Sequence, residues 1–314
     1  MSGSQLWMYH SCLPLVRLCL SNDSNRGNVS SIKFADFIVG FGCATPDGCK
    51  LSNQAEGSTA GPKGELDSLF GKVMSEANPL RIAAVSDIHY TKSSKGALQE
   101  LFVEASNTAD VLVICGDFTD FGLPEEASVL AEDIKAHVRI PVIGVVGNHD
   151  FESGKNAEVQ SIIEQAGVSL LDGDTAEVLG VGFAGVYGFG GGFGQQMLNA
   201  WGEPLIKAFV QGAIDHSLRL EKALTRLTMK RRVVLLHYSP IRDTVNGEHP
   251  ELFPFLGSSR FEATIDQFEV SAVFHGHAHH GTPEGKTARQ VPVFNVALPV
   301  LARSSGKQFL LYEI

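Results

Sequence analysis

Residues 80–89 read LRIAAVSDIH, residues 111–120 read VLVICGDFTD and residues 141–150 read PVIGVVGNHD. Each is a short β-branched apolar run that passes at once into Gly, Ser, Asp, Asn or His. Such runs, bounded by turn formers, read as buried strands. Strands are therefore predicted at 82–85, 111–114 and 142–145, with helical spacing between them at 96–106 and 125–137. The βαβαβ order calls for a largely parallel sheet covered by helices.

Downstream, the pattern predicts a helix at 157–165, strands at 176–179 and 181–186, and a long helix within 204–227. Strands follow at 233–236, 272–274, 293–296 and 309–312. Consecutive strands dominate this half, so a second sheet packed on the first is expected. The fold class is α/β (α+β), with no internal repeat. Upstream, residues 1–78 are rich in Ser, Asn and Gly, turn-rich from 45 to 64, and show little periodicity. They are expected to form a poorly ordered extension, with residues 79–314 as the folded domain.

The chain has 314 residues, 44% of them hydrophobic, and 35 acidic against 25 basic residues give a formal charge of -10. An acidic surface repels a polyanion, and no basic run is present to neutralise phosphates, so nucleic acid is a disfavoured partner. The five cysteines, Cys12, Cys19, Cys43, Cys49 and Cys115, are odd in number and lack metal-like C-x-x-C spacing. Reduced thiols are expected, with Cys115 a small core residue. No apolar stretch reaches the roughly 18 residues a membrane span needs. The apolar segment 12–20 is broken by Pro14 and Arg17 and lacks the flanks of a signal peptide, so cytoplasmic residence and no membrane partner are expected. Nothing in the sequence fixes the oligomeric state.

Five blocks carry metal-ligand residue types directly after apolar runs: Asp87-x-His89, Gly116-Asp117, Gly147-Asn148-His149-Asp150, His237, and Gly276-His277-x-His279. Singly, each is ordinary turn chemistry or a satisfied core histidine. Strand ends are where α/β folds gather functional groups, so five arrivals there point to one converging site. Two divalent ions about 3.5–4 Å apart need a charged oxygen ligand between them and further donors around them. A carboxylate with neutral imidazoles supplies both, and mixed O and N donors suit Mn, Fe, Zn or Co better than Ca or Mg.

The order D-x-H, G-D-x-x-D, G-N-H-[DE], a lone His and G-H-x-H resembles the calcineurin-like metallophosphoesterase superfamily over residues 80 to 314. The resemblance implies a four-layer α-β-β-α sandwich with two mixed β-sheets and helices outside. It further implies that Asp87, His89 and His279 bind one metal, that Asn148, His237 and His277 bind a second, and that Asp117 bridges them. A metal-bridging hydroxide would attack the phosphorus. His149 would assist the leaving group, oriented by Asp150 or another acid, and Asp120 would be a supporting carboxylate. Two divalent ions per chain are expected, with Mn the ion of choice in vitro.

Within the superfamily, Phe121-Gly122 after Asp120 and Asp150 after His149 depart from the Ser/Thr phosphatase pattern, and Phe118 stands where purple acid phosphatases place a Tyr. G-N-H-D in a compact body is more similar to small predicted phosphoesterases related to cyclic-nucleotide phosphodiesterases. A small phosphate ester, favoured as a phosphodiester, is the expected substrate. The alternatives are a metal-dependent nuclease and a non-catalytic metal-binding scaffold. The Gly-rich run 188–194, GFGGGFG, reads either as a turn or as a pocket wall offering Phe189 and Phe193. Arg242 and Arg260, in polar turns, are candidate phosphate contacts. His275 and His280 are expected as supporting or exposed residues, and His10, His137, His216 and His249 as surface residues.

Overall fold

In the computed structural model, described here for residues 79–314, strand β2 (Val111–Cys115) is buried along its whole length. Its alternating side chains face two different apolar layers. Leu112 and Ile114 join one cluster, and Val111, Val113 and Cys115 another. A strand with no polar side chain has to lie inside a sheet covered on both faces, and its β-branched residues fit the pleat.

Strand β2 pairs in parallel with β1 (Arg81–Val85) and β3 (Val142–Val145), in the registers Ile82↔Val111 and Leu112↔Val142. Strands β4 (Val168–Leu170) and β11 (Leu310–Glu313) complete a sheet of order β11-β1-β2-β3-β4, in which β11 runs antiparallel to β1. The second sheet has the order β5-β6-β7-β8-β10-β9. Its strands are β5 (Asp174–Val178), β6 (Val181–Gly185), β7 (Arg231–Leu235), β8 (Ala272–His275), β9 (Glu284–Lys286) and β10 (Pro292–Asn295). Its central pairs β6–β7, β7–β8 and β8–β10 are parallel, and its two outer pairs are antiparallel.

Three apolar layers account for the stacking. Ile82, Val113 and Val145 of the first sheet meet Phe183, Val233, Leu235 and Phe274 of the second in the central layer. The outer face of the first sheet packs on α1 (Gln99–Thr108), α2 (Pro124–His137) and α3 (Asn156–Gln165) through Phe102, Leu130 and Val159. The outer face of the second packs on α4 (Pro204–Arg226) and α6 (Ser259–Ile265) through Leu220, Leu224 and Phe261. The architecture is the αββα sandwich that the family resemblance implied.

The short helices α5 (Phe253–Leu256), α6 and α7 (Leu298–Ser305) and the strands β4 and β9 were not expected from the sequence, which read the start of α6 as a polar turn. Every other expected element is present, with ends shifted by up to about three residues. No helix among the described residues is long and apolar enough to cross a membrane. The expectations for the extension at residues 1–78, for His10 and for Cys12, Cys19, Cys43 and Cys49 lie outside the described residues. Cys115 is a free, buried thiol whose pKa burial pushes up.

Candidate metal centre

The five blocks leave the C-terminal ends of β1, β2 and β3 in one sheet and β7 and β8 in the other, and the structure brings them together. Polar bonds tie the strands at this end: within the first sheet Ser86 Oγ donates to the Cys115 carbonyl at 2.6 Å, and from the second sheet His237 Nδ1 donates to the same carbonyl at 2.8 Å. A donating Nδ1 leaves Nε2 of His237 as the nitrogen that faces the site.

Backbone shape marks the centre independently of side-chain chemistry. Asp87, His89, Asp117 and His277 all have left-handed backbone, with φ of 57°, 42°, 50° and 69°. Such positions cost of order 1–3 kcal/mol each and cluster at functional sites. The strain aims consecutive side chains at one point as the chain leaves its strand. The glycines of the motifs provide the remaining room. A Cβ on Gly147 would lie 2.1 Å from Asp117 Oδ1, and one on Gly276 would lie 2.0 Å from Ser86 Oγ and 2.2 Å from Asp87 Oδ2.

Three donor groups result. His89, Asp120 and His149 form one; of the other two, Asp87, His89, Asp117 and His279 form the first and Asp117, His237 and His277 the second, so Asp117 belongs to both. Its Oδ2 lies 3.7 Å from His89 Nε2 and 3.4 Å from His237 Nε2. Asn148 Oδ1 is 2.9 Å from His237 Nε2, which adds its amide oxygen to the second group. In the first group His279 Nε2 lies 2.9 Å from Asp87 Oδ1. His277 is held from two sides: its main-chain N–H donates to Asp87 Oδ2 at 3.0 Å, and its Nε2 lies 3.1 Å from the Phe255 carbonyl.

The electrostatics suit cations. Asp87 and Asp117 are both buried. Burial pushes their carboxyls up, but for Asp87 the hydrogen bond to His279 and the nearby His237 outweigh it, and for Asp117 the facing His237 does, so both are held below the usual range. Burial lowers His237, yet Asp117 and Asp87 win and raise it to about 9. His277 is pushed down to about 4 by burial and by His237. Two buried carboxylates a few ångströms apart draw positive charge, which among the described residues the histidines facing them supply. Both ring nitrogens of His89 are buried without a hydrogen-bond partner, although Asp120 Oδ1 comes within 3.2 Å of Nδ1. A divalent ion satisfies both conditions at once, and these Asp and His groups are typical of a dinuclear metal site.

His149 opens a 3-10 turn and is half-buried at the edge of the centre, its ring 4.6 Å from that of His89. Its Nδ1 donates to the main-chain carbonyl of Asp120 at 2.7 Å, and Glu152 lies 3.6 Å away. The expected pairing of Asp150 with His149 is not found. The Asp150 carboxylate is fully buried on the other side of the turn, where it accepts from the N–H groups of Thr119 (2.9 Å) and Gly147 (2.9 Å) and from the Thr119 hydroxyl (2.7 Å). Phe118 N–H adds a longer bond of 3.3 Å. Asp150 thus pins the loops that carry Asp117 and Asn148 to each other. Burial and the nearby Asp117 raise it to about 6.

Phe189 is half-buried among aromatic rings, whereas Phe193 is nearly buried against Val245, Leu256 and Ala278 and acts as core under the loop. Arg242 is exposed, with its guanidinium 5.6 Å from the Phe253 ring, and lines a cleft of about 210 Å³ together with Phe193 and Gln196. Arg260 is half-buried at the start of α6, with its Nε buried and without a hydrogen-bond partner among the described residues.

His275 is buried with both ring nitrogens engaged, by the Gly276 carbonyl and Thr244 Oγ1, so no lone pair is left for a metal. His280 and His249 are exposed and His137 is half-buried. His216, expected on the surface, is buried. Sequence reasoning missed Tyr238, whose ring centroid lies 4.4 Å from that of His277, and the Phe255 carbonyl on the same histidine. The only signal for Tyr238 was its place directly after His237.

Residues 80–281 match the profile of the calcineurin-like phosphoesterases, and the chain belongs to that family of phosphoester hydrolases. Among solved structures, the phosphopantetheinyl hydrolase PptH from Mycobacterium tuberculosis superposes with a TM-score of 0.56 at 16% identity, covering 76% of this chain and 97% of that one. At that identity the likeness concerns the fold. TT1561 of Thermus thermophilus gives a TM-score of 0.44 at 14% identity over 76% of this chain and 99% of that one. A putative 5'-nucleotidase from Staphylococcus aureus gives 0.44 at 15% identity over 69% and 48%. No curated protein matches the chain.

Proposed function

We propose that this chain hydrolyses a small phosphodiester, holding one divalent ion with Asp87, His89 and His279 and a second with Asn148, His237 and His277, Asp117 being common to both. The observation that carries this reading is the shared carboxylate: one oxygen of Asp117 faces a histidine of each donor group. When bound, two such ions supply Lewis-acid polarisation of the phosphoryl group and a lowered pKa for water. The mixed O and N donor set favours Mn, Fe, Zn or Co.

The chain's own residues orient the ester and handle its proton. His149 keeps a proton on Nδ1 through the Asp120 carbonyl, so Nε2 is the nitrogen that carries and delivers the second proton to the departing oxygen. Its side chain is 34% exposed at the edge of the centre. Asp150 acts through the backbone, keeping the loops at 117 and 148 in register. Arg242 and Arg260 are the cations proposed to meet phosphoryl oxygens, and the acidic charge balance favours a small ester over nucleic acid.

The test is hydrolysis of bis-p-nitrophenyl phosphate and p-nitrophenyl phosphate by metal-stripped protein, with and without added Mn. Turnover that requires Mn and favours the diester supports the reading. Preference for the monoester makes the enzyme a phosphomonoesterase, and turnover insensitive to metal removes the proposal.

A further inference from the structure

A circuit of rings closes on the metal centre from the side of the second sheet. It starts at His277, whose ring centroid is 4.4 Å from that of Tyr238. Tyr238 lies 6.0 Å from Phe189, Phe189 lies 5.0 Å from Phe209, and Phe209 lies 5.9 Å from Phe255. Phe255 returns to the start through its carbonyl, 3.1 Å from His277 Nε2. The Gly-rich run makes this closure possible: a Cβ on Gly190 would strike the Pro254 carbonyl at 2.5 Å and the Phe209 ring at 3.0 Å.

The rings are packed against one another without being sealed. Phe189, Phe209, Tyr238 and His277 are half-buried, and Phe255 is 56% exposed. The apolar surface continues outward along α4, where Leu205 and Ile206 sit four and three positions before Phe209, hence on the same helix face. They are 83% and 41% exposed. Contiguous exposed apolar surface rimming a reaction centre marks a binding site. No ammonium or guanidinium belongs to the circuit, so nothing in it would pair with a second phosphate or a carboxylate.

On the phosphoesterase reading above, we propose that this collar receives an uncharged apolar substituent of the substrate, an aryl or alkyl group esterified to the phosphate that lies at the metal centre. Binding energy gained there is independent of the bond that breaks, so it holds the ester in place without taking part in its cleavage.

Phosphonates are not hydrolysed, so their binding reads the collar separately from the diesterase activity. Methyl-, phenyl- and n-octylphosphonate would be titrated calorimetrically into the Mn-loaded full chain. The expected result is a Kd at least about 10-fold lower for phenyl- or octylphosphonate than for methylphosphonate, with the tighter of the two identifying aryl or alkyl as the natural class. Phe209→Ala and Phe255→Ser should bring the ratio back toward one. The exposed position of Phe255 keeps the second variant readable if the first fails to fold. Three dissociation constants within twofold of one another, or a ratio untouched by Phe255→Ser, would overturn the proposal, and neither result bears on whether diesters are cleaved.

Discussion

The main-chain N–H of His149 donates to Oδ1 of Asp117 at 2.9 Å. The carboxylate common to both donor groups therefore also fixes the backbone of the residue proposed to face the departing oxygen. Oδ2 is left to the histidines, Oδ1 to the loop. Any displacement of the acid residue relative to the metals has to break a charge-assisted bond made by a buried acceptor.

If His149 supplies the leaving-group proton, His149→Ala should lower kcat by about 10²–10⁴-fold while leaving the metal content unchanged. The loss should be larger for a diester with a basic leaving group than for p-nitrophenolate, which departs without help. Equal losses across a leaving-group series would leave His149 only a role in positioning.

Asp150 is a fully buried acceptor for three main-chain N–H groups and one hydroxyl. In Asp150→Ala these donors stay buried without a partner, at about 1–3 kcal/mol each, so a large fall in the thermal midpoint is expected. Metal affinity should fall with it, by about 10–100-fold, because the loops bearing Asp117 and Asn148 lose their tie. A variant with unchanged stability and metal binding would contradict the clamp.

His216 accepts from Arg219 through Nε2 at 2.6 Å, and burial followed by the Arg219 charge lowers its pKa to about 4. The ordinary value is 6.5, so between pH 6.5 and pH 4 the unfolded chain takes up a proton that the folded chain refuses. Stability is complete above that window and falls as the pH drops through it, by up to roughly 3 kcal/mol. Urea midpoints of the wild type and His216→Gln, measured from about pH 7 to about pH 4, should converge toward the acid end. Parallel curves would mean that His216 titrates normally.

The site was more legible than its supports. Asp87, Asp117 and Asn148 follow short, largely apolar runs, and a residue that ends a buried strand has few places to go other than the sheet's edge. Asp150 was misassigned because adjacency in sequence suggested contact with His149, whereas consecutive residues of a tight turn point their side chains in different directions. His216 was misplaced although the period of α4 contains the answer: Val210, Ala213, Leu220, Ala223 and Leu224 are buried at helical spacing, and His216 falls on that stripe. Strand β9, Glu-Gly-Lys, has no apolar signal to read because it is an edge strand joined to β10 through backbone bonds alone. The left-handed backbone at Asp87, His89, Asp117 and His277 was invisible in composition, although Asp and His are among the residue types enriched there.

Asp117 is proposed to serve two metal ions with one carboxylate. Metal-stripped wild-type protein and Asp117→Asn would be loaded with Mn, dialysed and analysed for bound metal, alongside turnover of bis-p-nitrophenyl phosphate. Two ions per wild-type chain are predicted. The variant should show a loss of at least one ion and of at least about 100-fold in turnover, since removing a ligand costs more than removing a group behind one. A wild-type chain that binds fewer than two ions, or an Asp117→Asn chain that keeps both and remains active, would contradict that proposal.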